Sequence, residues 1–242
     1  MEKKKIILFL LSTFFLIFVY HLFQIDENRF RLSKELNDSG TYIYAAKNLY
    51  QNFLPDIHRP IIISAIIGFP LLWNANDLLL IQLFSVVQWL SWLFVIFTIF
   101  YFSKQFLNSN PLAIWLSILY LFVLSPVLSI FVVLSEGIFT FFILSSTFFI
   151  YRFLISEKTR NGFLFLLSIY MATLVKPVYY YFAVFITLVA FIYIIIHYKT
   201  LKTKVLIILV ILGMLSCTIG LQLILMHRHF NRFTIALQEE RA

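Results

Sequence analysis

Long runs of apolar residues without a charge are the feature that most limits how this chain can fold. A helix needs about 20 apolar residues to cross the hydrocarbon core of a bilayer, which is about 30 Å thick. Several runs in the chain reach or approach that length, and only 12% of its 242 residues are charged. Soluble domains usually carry about 25% charged residues. The sequence therefore excludes a soluble globular domain and predicts an all-α, polytopic bundle of transmembrane helices.

The runs predict about seven spans. The first is residues 6–24, which follow three lysines and end without a small-x-small cleavage site, so we expect it to remain as an anchor. A cleaved signal peptide is the alternative, because a charged start and an apolar run are common to both. The run 61–73 is too short to span and contains Pro70, so we expect it to lie at the membrane interface or to break.

The remaining spans follow from the longer runs. We expect them at 78–102, twice within 111–155 with a turn near 126–136, twice within 163–197 on either side of Lys176-Pro177, and at 204–226. Residues 1–226 then form one transmembrane module, in which 25–60 is the first outer loop. Residues 227–242 are a short polar tail, for which a truncated chain end is an alternative interpretation.

The distribution of basic residues predicts the orientation of the chain, because lysine and arginine concentrate in short cytoplasmic loops. With the N-terminus in the cytoplasm, the inner segments contain ten basic residues against Glu2 and Glu157, and the outer segments are neutral. The ten are Lys3, Lys4, Lys5, Lys104, Arg152, Lys158, Arg160, Lys199, Lys202 and Lys204. Orientation therefore explains the net charge of +8, with attraction to anionic lipid as a secondary effect. We expect no binding to nucleic acid.

The first outer loop contains a helical repeat directly after residue 38. Its apolar members, at helical spacing, are Tyr42, Ala45, Ala46, Leu49, Tyr50 and Phe53. Such an amphipathic helix is expected to lie at the membrane interface, where a lipid headgroup arrives. Asp38 stands at its start, where it can cap the helix or act as a general base at the mouth of an outward cavity. Both roles can hold together.

Glu136 and Lys176 are ionisable residues at the ends of predicted spans. A charge at the bilayer centre costs about 2.5 to 3.5 kcal/mol by insertion scales, so these residues need partners or water. They can neutralise each other or reach the interface. Alternatively, Lys176 faces an anionic headgroup, while Glu136 positions a donor or a divalent cation. Arg59 is a second candidate for phosphate, because a guanidinium binds phosphate through two hydrogen bonds, and a solvated loop arginine is the alternative.

Four short motifs follow one another over roughly residues 1–200. They are the helix opened by Asp38, the step Arg59-Pro60-Ile61, the segment 134–140 around Glu136, and the segment 172–177 that ends in Lys176-Pro177. Their order resembles the N-terminal part of the GT-C type membrane glycosyltransferases. This group contains the protein O-mannosyltransferases of glycosyltransferase family 39 and the lipid A aminoarabinose transferases.

The resemblance implies an enzyme that transfers a sugar from a polyprenyl-phosphate carrier to an acceptor on the outer face of the membrane. Asp38 would be the catalytic base, Arg59 and Lys176 would contact the carrier phosphate, Tyr42 would line the substrate site, and Glu136 would be a supporting or metal-binding carboxylate. A divalent cation is the candidate cofactor, and the bacterial cytoplasmic (inner) membrane is the expected location. The sugar and the acceptor stay open.

Three other functions also stay open. The first is a transporter or flippase for a lipid-linked or amphipathic solute, in which Glu136 and Lys176 gate a path through the bundle. The second is a non-catalytic membrane subunit that binds another protein. The third is an inactive fragment without its C-terminal part. The chain contains no Walker loop, GxSxG or GxGxxG motif, so nucleotide hydrolysis and serine-hydrolase chemistry have no support.

Overall fold

The computed structural model describes residues 15, 19, 39–56, 58–121 and 135–231. These residues are almost entirely helical, and no strand occurs among them, as the apolar runs predict. The α-helices of these ranges are α1 (Ser39–Asn52), α2 (Ile61–Gly68), α3 (Asp77–Leu107), α4 (Asn110–Leu121), α5 (Glu136–Ser156), α6 (Thr159–Val175), α7 (Tyr180–His197), α8 (Leu201–Leu215) and α9 (Leu221–Phe230). The predicted first span, residues 6–24, lies almost wholly outside the described residues.

Two prolines lie where helix geometry changes: at Pro70 the α-helix continues as a 3-10 helix, and at Pro177 the helix breaks. α2 ends at Gly68, and a 3-10 turn, Phe69–Trp73, follows with Pro70 in its first positions. α6 ends at Val175, because Lys176 adopts an extended backbone, with φ −131° and ψ 100°, ahead of Pro177. The ring of a proline disfavours the helical conformation in the residue before it. Lys176 is therefore held at a helix break rather than within a helix.

Aromatic contacts show that α3 and α5 run in the same direction. The rings of Phe94 and Phe141 are 4.7 Å apart, and further along both helices the rings of Phe102 and Tyr151 are 5.3 Å apart. The N-terminal ends of α3 and α5 therefore lie at one end of the bundle, and their C-terminal ends lie at the other. α6 returns antiparallel to α5 and packs closely on it.

The turns that join α5 to α6 and α7 to α8 lie at the same end of the bundle, since the hydroxyl oxygens of Thr159 and Tyr198 are 3.0 Å apart. We call this the basic end, and it contains Lys104, Arg152, Lys158, Arg160, Lys199, Lys202 and Lys204. We call the opposite end the site end, and it contains Lys47, Arg59, Asp77, Glu136 and Lys176. The basic residues that the sequence assigns to inner segments thus share one end, as far as the structure describes them.

Three apolar clusters hold the described helices together, the smallest of which joins Trp92 and Ile96 of α3 to Tyr120 of α4. The first, which we call the site cluster, consists of Tyr42, Ile43, Ala46, Ile63, Ile67, Leu80, Ile81, Phe84, Ile138 and Val175. It joins α1, α2 and α3 to the adjoining ends of α5 and α6. The second cluster lies among α6, α7, α8 and a π-helical segment, Ser216–Gly220. In lipid, helices associate through close packing and interhelical hydrogen bonds. The hydroxyls of Tyr170 and Thr187, 2.8 Å apart, form one such bond between α6 and α7.

Four of the described helices are long and apolar enough to cross a membrane, namely Asp77–Leu107, Glu136–Ser156, Pro177–His197 and Leu201–Phe230. The shorter apolar helices are Ile61–Trp73, Asn110–Tyr120 and Thr159–Val175. The 17 residues of α6 extend about 25 Å, slightly less than the bilayer core. Large apolar side chains such as Phe185, Ile192 and Ile196 are exposed on α7, as expected for a helix surrounded by lipid. The prediction of about seven spans stays a prediction.

Candidate functional site

Arg59 is positioned by the turn that connects α1 with α2. Oδ1 of Asp56 accepts hydrogen bonds from the backbone N–H groups of His58 (2.8 Å) and Arg59 (2.9 Å). Aspartate forms such turns because its side-chain oxygen reaches backbone N–H groups two or three residues further on. The guanidinium carbon of Arg59 lies 4.5 Å from the centre of the Tyr42 ring, within the range of a cation–π contact. The turn and the ring together hold this cation against the N-terminal half of α1.

Lys176 and Glu136 form an ion pair at the site end. Nζ of Lys176 lies 2.9 Å from Oε1 of Glu136 and 5.5 Å from the centre of the Phe139 ring. Glu136 begins α5 and Lys176 follows the last residue of α6, so the pair connects two neighbouring helix ends. Their side chains are 51% and 32% exposed, and exposed pairs contribute only about 0–1 kcal/mol. The ammonium group can therefore exchange the carboxylate for another anion at a small cost in free energy.

Both cationic groups adjoin the site cluster. Tyr42 of α1, Ile138 in the first turn of α5 and Val175 at the end of α6 are all buried members of it. Arg59 lies over Tyr42, and the ion pair adjoins Ile138 and Val175 along the chain. Of the predicted site residues, Tyr42 belongs to this cluster, and Arg59, Glu136 and Lys176 adjoin it.

Asp38, the predicted catalytic base, lies outside the described residues. The next residue, Ser39, is the first residue of α1, so a helix does begin directly after position 38. The first turn of α1 contains no acidic residue of its own. Whether residue 38 serves as a cap, a base or both stays a prediction.

The buried face of α1 packs against protein. Tyr42, Ala45 and Ala46 are at most 6% exposed, as the helical repeat predicts. Ile43 is not part of the repeat, but it is also buried and packs in the site cluster. Phe53, which the repeat includes, is exposed: the helix ends at Asn52, and Phe53 adopts a left-handed backbone with φ 53°. The repeat therefore predicts the buried face correctly up to the last turn, and an interfacial position of the helix stays a prediction.

Close packing against α2 holds the C-terminal half of α1. The Tyr50 hydroxyl donates a hydrogen bond of 2.9 Å to the backbone oxygen of Ala65. A Cβ at Gly68 would overlap ring carbons of Tyr50 and would lie 3.2 Å from the backbone oxygen of Ala46. Glycine at position 68 is thus what allows the ring to lie against α2. Burial raises the pKa of the Tyr50 phenol above its ordinary value of 10.0.

Two acidic residues at the site end were not identified from the sequence. Asp56 forms the turn before Arg59, and the pattern Asp-x-His-Arg-Pro is a local signal for such a turn. Oδ1 of Asp77 lies 2.5 Å from Nζ of Lys47 and so ties the start of α3 to α1. This pair has no local sequence signal, because the two residues are far apart in the chain.

A divalent cation at Glu136 would need further oxygen ligands. The ranges that the structure describes contain no group of three or more His, Cys, Asp or Glu side chains placed to hold a metal ion. Mg²⁺ is commonly held by one or two carboxylates together with substrate phosphates. A single carboxylate such as Glu136 suits a cation of that kind, and the metal-binding role stays a prediction.

Comparisons of the chain with protein-family models, with curated protein sequences and with solved structures found no match. Two cations of different kinds adjoin one buried cluster: the guanidinium of Arg59 lies over Tyr42 in the first turn of α1, and the ammonium of Lys176 lies at the end of α6. Such groups are suited to bind a phosphate, the guanidinium through paired hydrogen bonds and the ammonium as a point charge.

Proposed function

We propose that the protein is an integral-membrane glycosyltransferase, which moves a sugar from a polyprenyl-phosphate carrier to an acceptor on the outer face of the membrane. The observation that carries the proposal is that Arg59 and Lys176 both adjoin the site cluster, Arg59 at the first turn of α1 and Lys176 at the end of α6. Asp38, directly before α1 in the chain, is the proposed catalytic base. The likeness to GT-C type enzymes rests on the sequence motifs alone.

The separation of charge between the two ends supports an outward-facing site. The basic end carries its lysines and arginines against Glu157, the one acidic residue in the turns that form it. By the positive-inside rule this end would face the cytoplasm. The site end, where Asp77 and Glu136 offset Lys47 and Lys176, would then lie at the outer leaflet. In a bacterium this membrane would be the cytoplasmic (inner) membrane.

The proposed reaction requires positive charge more than it requires a general acid. An acceptor oxygen or nitrogen attacks the anomeric carbon, and the bond from that carbon to the phosphate oxygen breaks. The electron pair leaves with the carrier phosphate, where Arg59 and Lys176 stabilise the developing negative charge. Asp38 takes the proton that the acceptor loses. Glu136, released from Lys176 when the phosphate binds, orients the donor. If the reaction uses a divalent cation, Glu136 is the residue that would help to hold it, and the cation would supply further positive charge for the leaving phosphate.

An assay of sugar transfer from a polyprenyl-phosphate donor tests this proposal. Membranes containing the full chain are incubated with undecaprenyl phosphate that carries radiolabelled mannose, glucose or aminoarabinose, and the label in membrane lipid and protein is measured. Asp38→Asn should lower transfer by about 10²- to 10⁴-fold, the usual contribution of a general base. Its abundance in the membrane should not change. Lys176→Gln and Arg59→Gln should raise the KM for the donor.

Two control variants are matched to these changes. Lys104→Gln removes a lysine from the basic end, and Glu157→Gln removes a carboxylate from the same end. Both should leave transfer unchanged. Transfer that persists in Asp38→Asn would show that residue 38 only caps α1, and it would contradict the mechanism. No transfer of any of the three sugars by the wild-type chain would contradict the proposed function.

A transporter or flippase for a lipid-linked solute is the second candidate, and the ion pair between Glu136 and Lys176 favours it. The pair is exposed and lies at the break between α6 and α7, and transporters often bind and release their substrates at interrupted helices. Flux of a fluorescent lipid-linked sugar across reconstituted vesicles, without a covalent product, would support this function. That flux should be lost in Glu136→Gln and in Lys176→Gln, but retained in Asp38→Asn.

A further inference from the structure

A groove of about 320 Å³ lies between α5, α6, α7 and α8, away from the site cluster. Its lining is apolar except for the hydroxyl groups of Thr159, Tyr193 and Tyr198. Pockets that hold small molecules in proteins have volumes of about 300–1,000 Å³. Leu154 and Val189 line the groove and are 70% and 46% exposed, so the groove opens toward the surroundings of the bundle. In a membrane, those surroundings are lipid chains.

One mouth of the groove lies at the basic end. Thr159 and Tyr198 stand there, with their hydroxyl oxygens 3.0 Å apart. The exposed basic residues next to them in the chain are Lys158, Arg160 and Lys199. Glu157 is the only acidic residue in the sequence between 150 and 204. The mouth is therefore cationic, and the hydroxyl of the pair that accepts the mutual hydrogen bond can donate its own hydrogen to an anion.

We propose that this groove binds one acyl chain of an anionic phospholipid, whose phosphate lies at Lys158, Arg160 and Lys199. The two halves of the site match the two halves of such a lipid, because the lining is apolar and the mouth is cationic. A zwitterionic phospholipid carries its own cation, which the basic residues repel, so an anionic lipid is preferred. The site lies at the opposite end from the proposed transferase site, and it does not depend on that function.

Retention of phosphatidylglycerol by the purified full chain tests the proposal. The protein is reconstituted in nanodiscs with equal amounts of dioleoylphosphatidylglycerol and dioleoylphosphatidylcholine and is then transferred to detergent. Native mass spectrometry counts the lipids that stay bound. Each basic residue near an anionic lipid changes the affinity about fivefold. Lys158, Arg160 and Lys199 against Glu157 leave a net charge of two at the mouth. We therefore expect phosphatidylglycerol to be retained about 25-fold over phosphatidylcholine. Lys158→Gln combined with Lys199→Gln leaves Arg160 offset by Glu157 and should remove that preference.

A pair of matched variants tests the groove itself. Ala190 lines the groove, so Ala190→Trp should fill it and lose the bound phosphatidylglycerol. Leu188 lies on the same helix, is 54% exposed and does not line the groove, so Leu188→Trp should retain the lipid. If Ala190→Trp does not fold, the variant with both lysines replaced decides the question.

Equal retention of the two lipids by the wild-type chain would overturn the proposal. Unchanged retention of phosphatidylglycerol in a folded Ala190→Trp variant would also overturn it. If Ala190→Trp alters the oligomeric state while lipid retention stays the same, the groove is a contact between copies of the chain and the lipid site is wrong.

Discussion

Replacement of Gly68 by alanine should loosen the packing of α1 on α2 and lower the free energy of unfolding. The added Cβ would overlap the ring of Tyr50 and lie 3.2 Å from the backbone oxygen of Ala46, so the ring has to move. Overpacking of this kind costs about 1–3 kcal/mol, and loss of the 2.9 Å hydrogen bond from Tyr50 to Ala65 costs about 0.5–1.5 kcal/mol more. Alanine gains about 1 kcal/mol over glycine in a helix. The net loss is therefore expected to be about 1–3 kcal/mol.

Unfolding of the purified protein in mixed micelles with increasing SDS measures this free energy. Gly213→Ala is the matched control, because Gly213 is also helical and a Cβ there meets nothing within 4 Å. It should stabilise the protein by up to about 1 kcal/mol. In a Tyr50→Ala background, Gly68→Ala should destabilise much less, because only the 3.2 Å approach to the backbone oxygen of Ala46 remains. If Gly68→Ala and Gly213→Ala are equally stable, α1 does not pack on α2 as described. The contact between Arg59 and Tyr42, which depends on that packing, would then be wrong as well.

Two further predictions concern the same region. A double-mutant cycle of Lys47→Met and Asp77→Asn should give a coupling free energy of about 0.2–1 kcal/mol that shrinks in high salt, because the pair is partly exposed; no coupling at low salt would contradict the ion pair. Burial raises the pKa of Tyr50 in the folded state above 10.0, so its contribution to stability is complete below pH 10 and is lost as the pH rises further. Tyr50→Phe should flatten that loss, and identical pH profiles for variant and wild type would refute this role.

Much of the helical architecture could be predicted from local features of the sequence. Apolar runs predict α3, α5, α7 and the long final helix, and proline predicts the break at Lys176-Pro177. At Pro70 the chain stays helical and changes from α to 3-10 geometry. The ends of helices were less predictable. α3 continues to Leu107, beyond the predicted end at 102. It ends there because Asn108 adopts a left-handed backbone, a common way for a helix to end. An apolar run predicts the part of a helix that lies in the hydrocarbon core of the bilayer, and it does not predict how far the helix extends beyond it.

The candidate site was less predictable than the helices, because its contacts join residues that are far apart in the chain. The pairing of Glu136 with Lys176 was one of two alternatives open from the sequence, because charges near a membrane need partners. The contact of Arg59 with Tyr42 was not predicted. It depends on the turn formed by Asp56 and on the packing of α1 against α2, which join residues through tertiary structure rather than through local pattern.

Labelling of single cysteines from one side of the membrane tests most directly the claim that residue 38 and the site end face the outside together. Cys217 is the only cysteine in the chain, so Cys217→Ser provides a cysteine-free background. Asp38→Cys and Val178→Cys, the latter close to Lys176 and 62% exposed, should react with a membrane-impermeant maleimide in intact cells. Lys199→Cys at the basic end should react only after permeabilisation. Labelling of positions 38 and 178 from opposite sides of the membrane would contradict the proposed site.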